Sequence, residues 1–362
     1  MVLFWHLPAP ANEAGILQPL VERIHGVGWA GVDLFFVLSG FLVGGLLIKE
    51  QKERGAIDAK RFLIRRALKI WPGYFFFLFV VIGVKAWLAP DISFFESCWI
   101  FLPNFLHLQN YLGSQRAHTW SLAVEEHFYL LLPLFLIVAH RCRRARWGVP
   151  GAMIVLAVGC LVLRWLTWEI APPFRWTMHA YPTHLRMDSL FAGVALAWFR
   201  QTHPARWEGI ARHRVWLVLG AIVLVAPLSW MSVQSKWVVC VGFSQAWFAG
   251  ALMVLGLSTS SAGTGRLGRL VAWMGTASYA IYLWHVDAGV VVIRKVAALW
   301  PAGNMPDELR WLALAAIMVG TSVLVGWLAM KAIEEPVLRW RERRYPRKNS
   351  SLSMTQPDSV GK

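Results

Sequence analysis

Acidic residues and cysteines are both scarce in this 362-residue chain. It carries only 20 Asp and Glu against 36 Lys and Arg, and charged residues of both signs make up 15% of the sequence. The four cysteines, Cys98, Cys142, Cys160 and Cys240, show neither metal-site spacing nor a paired framework. The strict apolar–polar alternation of a membrane β-barrel is also missing. These absences argue against a disulfide-rich domain, a cysteine metal site and a barrel.

The basic excess, a net charge of +16, would favour nucleic-acid binding in a soluble protein. However, 57% of the residues are hydrophobic, and they fall in blocks of about 20 residues, the length of a membrane-spanning helix. The basic residues cluster in the loops between these blocks, and the 22 tryptophans suit helix ends at the lipid interface. We therefore expect membrane lipid as a partner, and no nucleic acid.

The apolar blocks predict an all-α polytopic membrane bundle of about ten helices, because lipid leaves backbone groups no other partner. Residues 1–7 are interpreted as the outer end of a truncated first helix, within a membrane domain at 1–348. Residues 349–362 are expected to be a disordered cytoplasmic tail. Complete spans are predicted at 28–48, 72–89, 120–139, 149–168, 183–199, 215–232, 237–257, 270–293 and 310–333.

Loop charge sets the predicted orientation, because positive loops face the cytoplasm of a bacterial-type inner membrane. The loops 49–71 and 140–148 are both strongly basic, so an even number of spans must separate them. The apolar stretch 94–110, which Pro103 and Asn104 interrupt, is therefore predicted not to cross and to be a re-entrant or interfacial piece on the outer side. Both chain ends are predicted to be cytoplasmic.

Ionisable residues inside membrane spans are costly and often mark function. The topology predicts that one group of them shares a depth near the outer face: His6, Asp33, Glu125, Glu126, Asp188 and His285. Each alone could equally be a structural hydrogen-bond partner between helices. Three further cations, Lys85, Arg164 and Lys331, are interpreted as snorkelling to the interface from helix ends.

Helical spacing refines this prediction at two places. Ser278, Tyr282 and His285 share one helix face and are expected to point into one cavity. Gly40 and Gly44 form a small-residue pair for which close helix packing is the preferred interpretation.

A basic motif precedes Pro72 and has two interpretations. It comprises Arg61, Arg65, Arg66 and Lys69. Charge alone slightly favours an anchor for anionic lipid headgroups. The alternative is a grip on the phosphates of a nucleotide cofactor.

Several segments resemble the acyltransferase 3 family, in order and at fitting intervals from about residue 2 to 340. They are Gly31–Val43 (GVDLFFVLSGFLV), Arg61–Tyr74 (RFLIRRALKIWPGY), His118–Tyr129 (HTWSLAVEEHFY), Leu185–Gly193 (LRMDSLFAG), Ala277–His285 (ASYAIYLWH) and Ile333–Pro336 (IEEP). The resemblance implies a ten-helix membrane enzyme that O-acylates, often O-acetylates, hydroxyls of envelope polysaccharides, lipid-linked sugars or glycosides. It also implies acetyl-CoA or a related acyl-CoA as the donor, with no metal.

The resemblance places the donor motif on Arg66 and Lys69, with Arg65 beside them, and the family's first-helix histidine on His6. We expect His6 to be the general base or a transient acyl carrier, and Glu125 or Asp33 to orient it. The predicted pocket contains Trp120, Ser121, Glu126, Arg186, Asp188, Tyr282 and His285.

Two departures from the family pattern keep alternatives open. Lys69 stands where the family has a second arginine, which removes the bidentate fork. The cation that the family places about ten residues before the histidine would precede Met1, which indicates either a misplaced start or a truncated inactive copy. A secondary transporter is the remaining alternative, although no inverted repeat is evident.

Overall fold

A computed structural model describes residues 2–7, 17–88, 91, 93–141, 148–258, 265–299 and 306–346. Across these ranges the regular structure is entirely helical, which confirms the predicted all-α class. The predicted tail at 349–362 and Cys142 lie outside them. In chain order the α-helices are α1 (Val2–Trp5), α2 (Gln18–Val27), α3 (Gly31–Arg54), α4 (Ala59–Leu88), α5 (Phe94–Ile100), α6 (Leu102–Phe105), α7 (Gln109–Leu112), α8 (Trp120–Arg141), α9 (Gly148–Ile170), α10 (Trp176–His179), α11 (Met187–Thr202), α12 (Pro204–Ala211), α13 (Arg214–Val225), α14 (Phe243–Leu257), α15 (Arg266–Trp284), α16 (Val291–Leu299), α17 (Asp307–Ala329) and α18 (Glu335–Arg344).

Seven helical stretches of the described chain are long and apolar enough to cross a membrane. Each coincides with or contains most of a predicted span: Gln18–Arg54, Ala59–Leu88, Ala117–Ala139, Gly148–Ile170, Val238–Leu257, Gly268–Leu299 and Asp307–Arg344. The chain is therefore a multi-pass membrane protein.

Two predicted spans take other forms. The span predicted at 183–199 is α11, whose 16 residues reach about 24 Å, less than a bilayer core. The span predicted at 215–232 belongs to a pair bent by 73°, Pro204–Ala211 and Arg214–Trp230, which makes an eighth candidate if it is counted as one span. A total of ten crossings stays a prediction.

Helices α3 and α11 run parallel and pack through glycine. A Cβ on Gly40 would lie 1.9 Å from the Leu190 carbonyl oxygen, and one on Gly193 would lie 2.1 Å from the Val37 carbonyl oxygen. A Cβ on Gly44 would meet Val194 at 3.0 Å. These contacts confirm the predicted packing role of the glycines, because only glycine permits such close backbone approach.

The segment that was predicted not to cross is broken into the short helices α5, α6 and α7. It packs against α4 and the start of α8, where Tyr74 Oη donates to the Asn104 carbonyl at 3.1 Å and the segment's own side-chain amides donate outward. Asn104 Nδ2 donates to Thr119 Oγ1 at 3.0 Å, and Gln109 Nε2 donates to the Thr119 carbonyl at 3.0 Å and to Tyr74 Oη at 3.1 Å. Non-helical backbone at membrane depth needs such protein partners. The prediction that no single spanning helix forms here is confirmed.

His107, between α6 and α7, has a left-handed backbone with φ 54°. Its ring stacks on that of Tyr74 with centroids 4.9 Å apart. Burial lowers the pKa of His107 to about 4, with His127 adding to the shift. The ring is therefore neutral at physiological pH and packs as an aromatic group.

Within the described ranges, three π-helical turns interrupt the long helices, at Val238–Gly242, His285–Val290 and Met330–Glu334. Such turns insert an extra residue and often occur at functional sites. The second begins at His285, and the third ends at Glu334. The second belongs to the site described next, and the third lies beside the basic motif.

Candidate active site

A cavity of about 120 Å³ lies where α1, α8 and α15 meet the starts of α3, α11 and α14. It contains four of the residues that the sequence analysis singled out: His6, Trp120, Arg186 and Tyr282. The rest of its wall is largely aromatic and apolar: Val2, Trp5, Trp29, Val32, Ala117, His118, Trp176, Ala180, Tyr181, Val233 and Phe243. An apolar pocket with a few polar groups is the usual form of a small-molecule site.

Three histidines meet at one side of this cavity. The ring of His285 lies 4.9 Å from that of His6 and 5.3 Å from that of His118, measured between centroids. His118 Nε2 pairs with the Leu283 carbonyl at 3.1 Å, and His285 Nδ1 pairs with the Tyr282 carbonyl at 2.5 Å. Carbonyl oxygens only accept, so a neutral His285 carries its proton on Nδ1 and its lone pair on Nε2.

That Nε2 atom of His285 is buried and has no hydrogen-bond partner within the described residues. His285 thus presents an acceptor nitrogen beside the ring of His6. In the parts of the chain that the structure describes, no group of three or more His, Cys, Asp or Glu side chains is arranged to hold a metal ion.

A hydroxyl pair closes the cavity toward the basic motif. Tyr282 Oη lies 2.6 Å from Ser121 Oγ and donates to the His118 carbonyl at 2.5 Å. Because its proton goes to that carbonyl, Tyr282 accepts from Ser121. Ser278, predicted to share this face, is instead exposed and donates to the Gly275 carbonyl at 2.9 Å.

Asp33 and Arg186 form a buried ion pair at the cavity. Arg186 Nη2 donates to both carboxylate oxygens of Asp33, at 2.9 and 2.8 Å, and both side chains are at most 2% exposed. The guanidinium lies over Phe243 at 3.9 Å and over Trp120 at 5.4 Å. Stacking and ion pairing together fix the plane of this arginine.

Glu125 faces away from this cavity. Its Oε1 accepts hydrogen bonds from Ser39 Oγ at 2.5 Å and Tyr129 Oη at 2.9 Å, and it is absent from the cavity wall. It lies one helical turn, about 6 Å, from Ser121 along α8. Glu125 therefore stands between the cavity and the basic motif, and a direct role in orienting His6 stays a prediction.

Arg66 and Lys69 are the cations nearest to Glu125. The Arg66 guanidinium lies over the rings of Phe62 and Tyr129, at 5.7 and 5.6 Å. Lys69 lies close to Arg66 and to the carboxylates of Glu125 and Glu334. Within the described ranges neither cation forms an ion pair. Both keep donors free for an anionic ligand.

Arg65 is already engaged by the C-terminal helix α18. Its Nη2 donates to Glu342 Oε1 at 2.8 Å, and its Nη1 donates to the Tyr345 carbonyl. Arg341 donates to the same carboxylate oxygen at 2.6 Å and to the Arg65 carbonyl at 3.2 Å. Of the three residues predicted to bind the acyl-CoA donor, Arg65 thus has the fewest N–H groups left for its phosphates.

Asp188 and Glu126 lie outside the cavity. Asp188 Oδ2 accepts from Arg164 Nη2 at 2.6 Å, from Trp247 Nε1 at 2.9 Å and from Ser244 Oγ at 3.3 Å. Arg164 is fully buried, so its prediction as a snorkelling residue is wrong: its charge is neutralised inside the bundle. Glu126 Oε2 accepts from Trp71 Nε1 at 3.3 Å, on the side of the re-entrant segment.

Sequence reasoning missed part of the cavity wall. His118 and Trp29 stand just before α8 and α3, in positions that resemble interface anchors rather than pocket residues. Tyr181 and Trp176 lie in a connection, and their rings stack with centroids 5.5 Å apart, while Tyr181 stacks on Trp120 at 4.8 Å. His118 is the first residue of the HTWSLAVEEHFY segment, and its place there was the one feature of the sequence that could have indicated a pocket residue.

A family model described as an acyltransferase domain matches residues 1–331. The peptidoglycan O-acetyltransferase OatA of Listeria monocytogenes is 26% identical over 336 residues, covering 86% of this chain and 51% of that protein. YrhL of Bacillus subtilis, provisionally named a peptidoglycan O-acetyltransferase, is 26% identical over 341 residues, with coverage of 89% and 52%. A provisionally named O-acetyltransferase of Staphylococcus aureus is 24% identical over 344 residues, with coverage of 88% and 55%.

The chain spans about half the length of these curated relatives. No solved structure matches it.

Proposed function

The chain belongs to the acyltransferase 3 family, and on this premise we propose that it O-acetylates a cell-envelope carbohydrate with an acyl-CoA as donor. The relatives named for peptidoglycan O-acetylation support a peptidoglycan-type acceptor. The observation that carries the proposal is a line of polar groups from His6 in the cavity to Arg66 and Lys69. Tyr282 lines the cavity and shares a hydrogen bond with Ser121, Glu125 follows Ser121 by one turn of α8, and Lys69 lies close to Glu125 and Arg66.

Arg66 and Lys69 would hold the donor's phosphates. Arg66 is positioned by two aromatic faces, which leaves its N–H groups free for charge-assisted hydrogen bonds. Lys69 adds a second positive charge beside it. Glu125 and Glu334 limit the local excess of positive charge when no donor is bound. Arg65 would contribute by fixing α18 against the motif.

His6 would act as the general base on the acceptor hydroxyl. It takes the hydroxyl proton as the new C–O bond forms, the thioester C–S bond breaks, and the proton passes to the leaving thiolate. The acceptor nitrogen of His285 beside it can receive the His6 N–H and fix its orientation. This arrangement gives His285 the orienting role that the sequence analysis assigned to Glu125 or Asp33.

The aromatic wall would receive the sugar. Trp120, Tyr181 and Trp176 present a stacked series of rings with few polar atoms. Flat apolar faces interrupted by a few placed polar groups suit a ring-shaped ligand that carries hydroxyls.

The positive loops would place Arg66 and Lys69 toward the cytoplasm, both chain ends on that side, and the cavity toward the outer half.

The test uses the full chain in liposomes, with labelled acetyl-CoA and soluble peptidoglycan fragments. We expect release of free CoA together with labelled, alkali-sensitive ester on the glycan. His6→Ala should lower both by at least about 100-fold, the usual contribution of a general base. His213→Ala, an exposed histidine far from the cavity wall, is the matched control.

Folded wild-type protein that releases no CoA with any glycan fragment would contradict the proposal. Glycan translocation without ester formation would identify a transporter instead.

A further inference from the structure

Arg186 carries hydrogen-bond donors that the protein leaves unused at the cavity. Only Nη2 pairs with Asp33, while Nε and Nη1 are buried without a partner in the described residues. Buried unpaired donors are costly, and those to charged groups are the most costly. A ligand can satisfy such donors only where they reach a cavity. Arg186 lines the cavity that holds His6.

Trp29 supplies a second unused donor at the same cavity. Trp29 Nε1 is buried without a partner, and Trp29 also lines the cavity. Its ring meets that of Phe243 edge-on with centroids 5.3 Å apart, and Phe243 in turn lies 3.9 Å beneath the Arg186 guanidinium. Phe243 thus supports both donor-bearing side chains.

The charge balance indicates what these donors receive. Asp33 neutralises Arg186 within the resting pair, so a permanent anion gains little net attraction there. A neutral oxygen that becomes negative only during reaction gains most from fixed N–H donors in a site of low polarity. In acyl transfer, that oxygen is the carbonyl oxygen of the acyl group.

We propose that Arg186 and Trp29 form the oxyanion-stabilising donors of the acyl transfer at His6. This rests on the function proposed above and adds a catalytic role to it. As the acceptor oxygen attacks, the C=O electron pair moves onto the acyl oxygen, and one unpaired N–H of Arg186 (Nε or Nη1) and Trp29 Nε1 donate to it. When the C–S bond breaks, the electron pair on that oxygen re-forms the C=O bond, and the thiolate leaves with the C–S electrons and takes the proton held by His6. Asp33 is a positioning residue that aims Arg186 by holding Nη2.

The chain supplies a matched control for each residue. Arg164 is a second buried arginine paired with an aspartate, and its Nη1 is likewise unpartnered, but it does not line the cavity. Trp207 is a second buried tryptophan with an unpartnered Nε1, again remote from the cavity wall. Arg186→Lys can therefore be compared with Arg164→Lys, and Trp29→Phe with Trp207→Phe.

The experiment measures kcat and the KM for acetyl-CoA by CoA release in liposomes with peptidoglycan fragments. We expect kcat to fall about 100- to 1000-fold in Arg186→Lys, the usual effect of losing an oxyanion donor, and clearly but less in Trp29→Phe. The KM for acetyl-CoA should change by less than about twofold, because these donors act on charge that develops only during reaction. The two controls should keep wild-type kcat.

Wild-type kcat in both cavity variants, or unchanged kcat with a raised KM for the glycan, would overturn the inference. If Arg186→Lys does not fold, Trp29→Phe decides the matter alone. An inactive wild-type protein would instead reject the proposed function, so the two failures are distinguishable.

Discussion

Gly40 and Gly193 hold α3 and α11 in backbone contact, two helical turns below the Asp33–Arg186 ion pair. Gly40 follows Asp33 by seven residues, and Gly193 follows Arg186 by seven residues. The ion pair and the glycine contact therefore share one register along the two parallel helices. A Cβ on Gly40 would lie 3.2 Å from the Gly193 Cα and 1.9 Å from the Leu190 carbonyl oxygen. The position of Arg186 is thereby set by packing as well as by charge.

Gly193→Ala should therefore destabilise the protein and disturb the cavity. The added methyl would overlap the Val37 carbonyl oxygen at 2.1 Å, so the helices must separate, at a cost of about 1–3 kcal/mol or more. Thermal unfolding in detergent, monitored alongside CoA release, measures both effects. The control is Gly320→Ala in α17, where a Cβ meets nothing within 4 Å and stability should rise by about 0.5–1 kcal/mol. Equal stability of the two variants would contradict the proposed register.

Arg66 and Arg65 should contribute unequally to donor binding. Arg66→Ala should raise the KM for acetyl-CoA about tenfold or more, a loss of about 1.4 kcal/mol, because its donors are free. Arg65→Ala should raise it less, because its guanidinium already binds Glu342 and the Tyr345 carbonyl. Lys60→Ala, an exposed cation on the same helix, is the control. A larger effect at Arg65 than at Arg66 would contradict this assignment.

His285→Phe should lower kcat strongly while keeping the ring volume. The substitution removes the unpartnered Nε2 beside His6, so His6 loses its orienting acceptor. We expect at least about a 100-fold loss, together with a changed pH–rate profile, since acid–base groups contribute on this scale. The pH dependence of CoA release checks this. An unchanged profile with reduced stability would indicate a packing role alone.

Tyr282→Phe and Ser121→Ala should act as one unit. The two hydroxyls share a hydrogen bond of 2.6 Å, so removing either one also removes the contribution of the other. The double variant should be little worse than the single variants, with an interaction energy of about 0.5–3 kcal/mol in a double-mutant cycle on kcat/KM. Additive losses would show that the two residues work separately.

The sequence predicted the membrane-spanning helices well, because apolar length is a property of a single helix. The even number of spans required between the two basic loops correctly indicated that 94–110 does not cross as one helix. His6, Arg186 and Tyr282, which were predicted as catalytic or pocket residues, line one cavity, whereas Asp33, Glu125, Glu126, Asp188 and His285 are not part of its wall. Glycine spacing likewise predicted the face on which α3 packs.

The direction in which a polar side chain points could not be predicted in the same way. Glu125 and Asp188 bind partners on other helices: Ser39 for one, Arg164 for the other. Which face of a helix meets which neighbour depends on the whole bundle. A buried arginine near a helix end looks like an interfacial one until its aspartate is located, which is why Arg164 was misjudged.

The π turn at His285–Val290 makes the active site sensitive to chain length. A π turn holds one residue more than the α-helical ladder requires, so the helix beyond it is rotated by about a quarter-turn relative to the helix before it. Deleting any one residue between 286 and 290 would restore the regular α-helical hydrogen-bond pattern. The deletion would also rotate α16 relative to His285. Point substitutions at the same positions leave the residue count unchanged, so insertions and deletions there should be tolerated far less than changes of side chain.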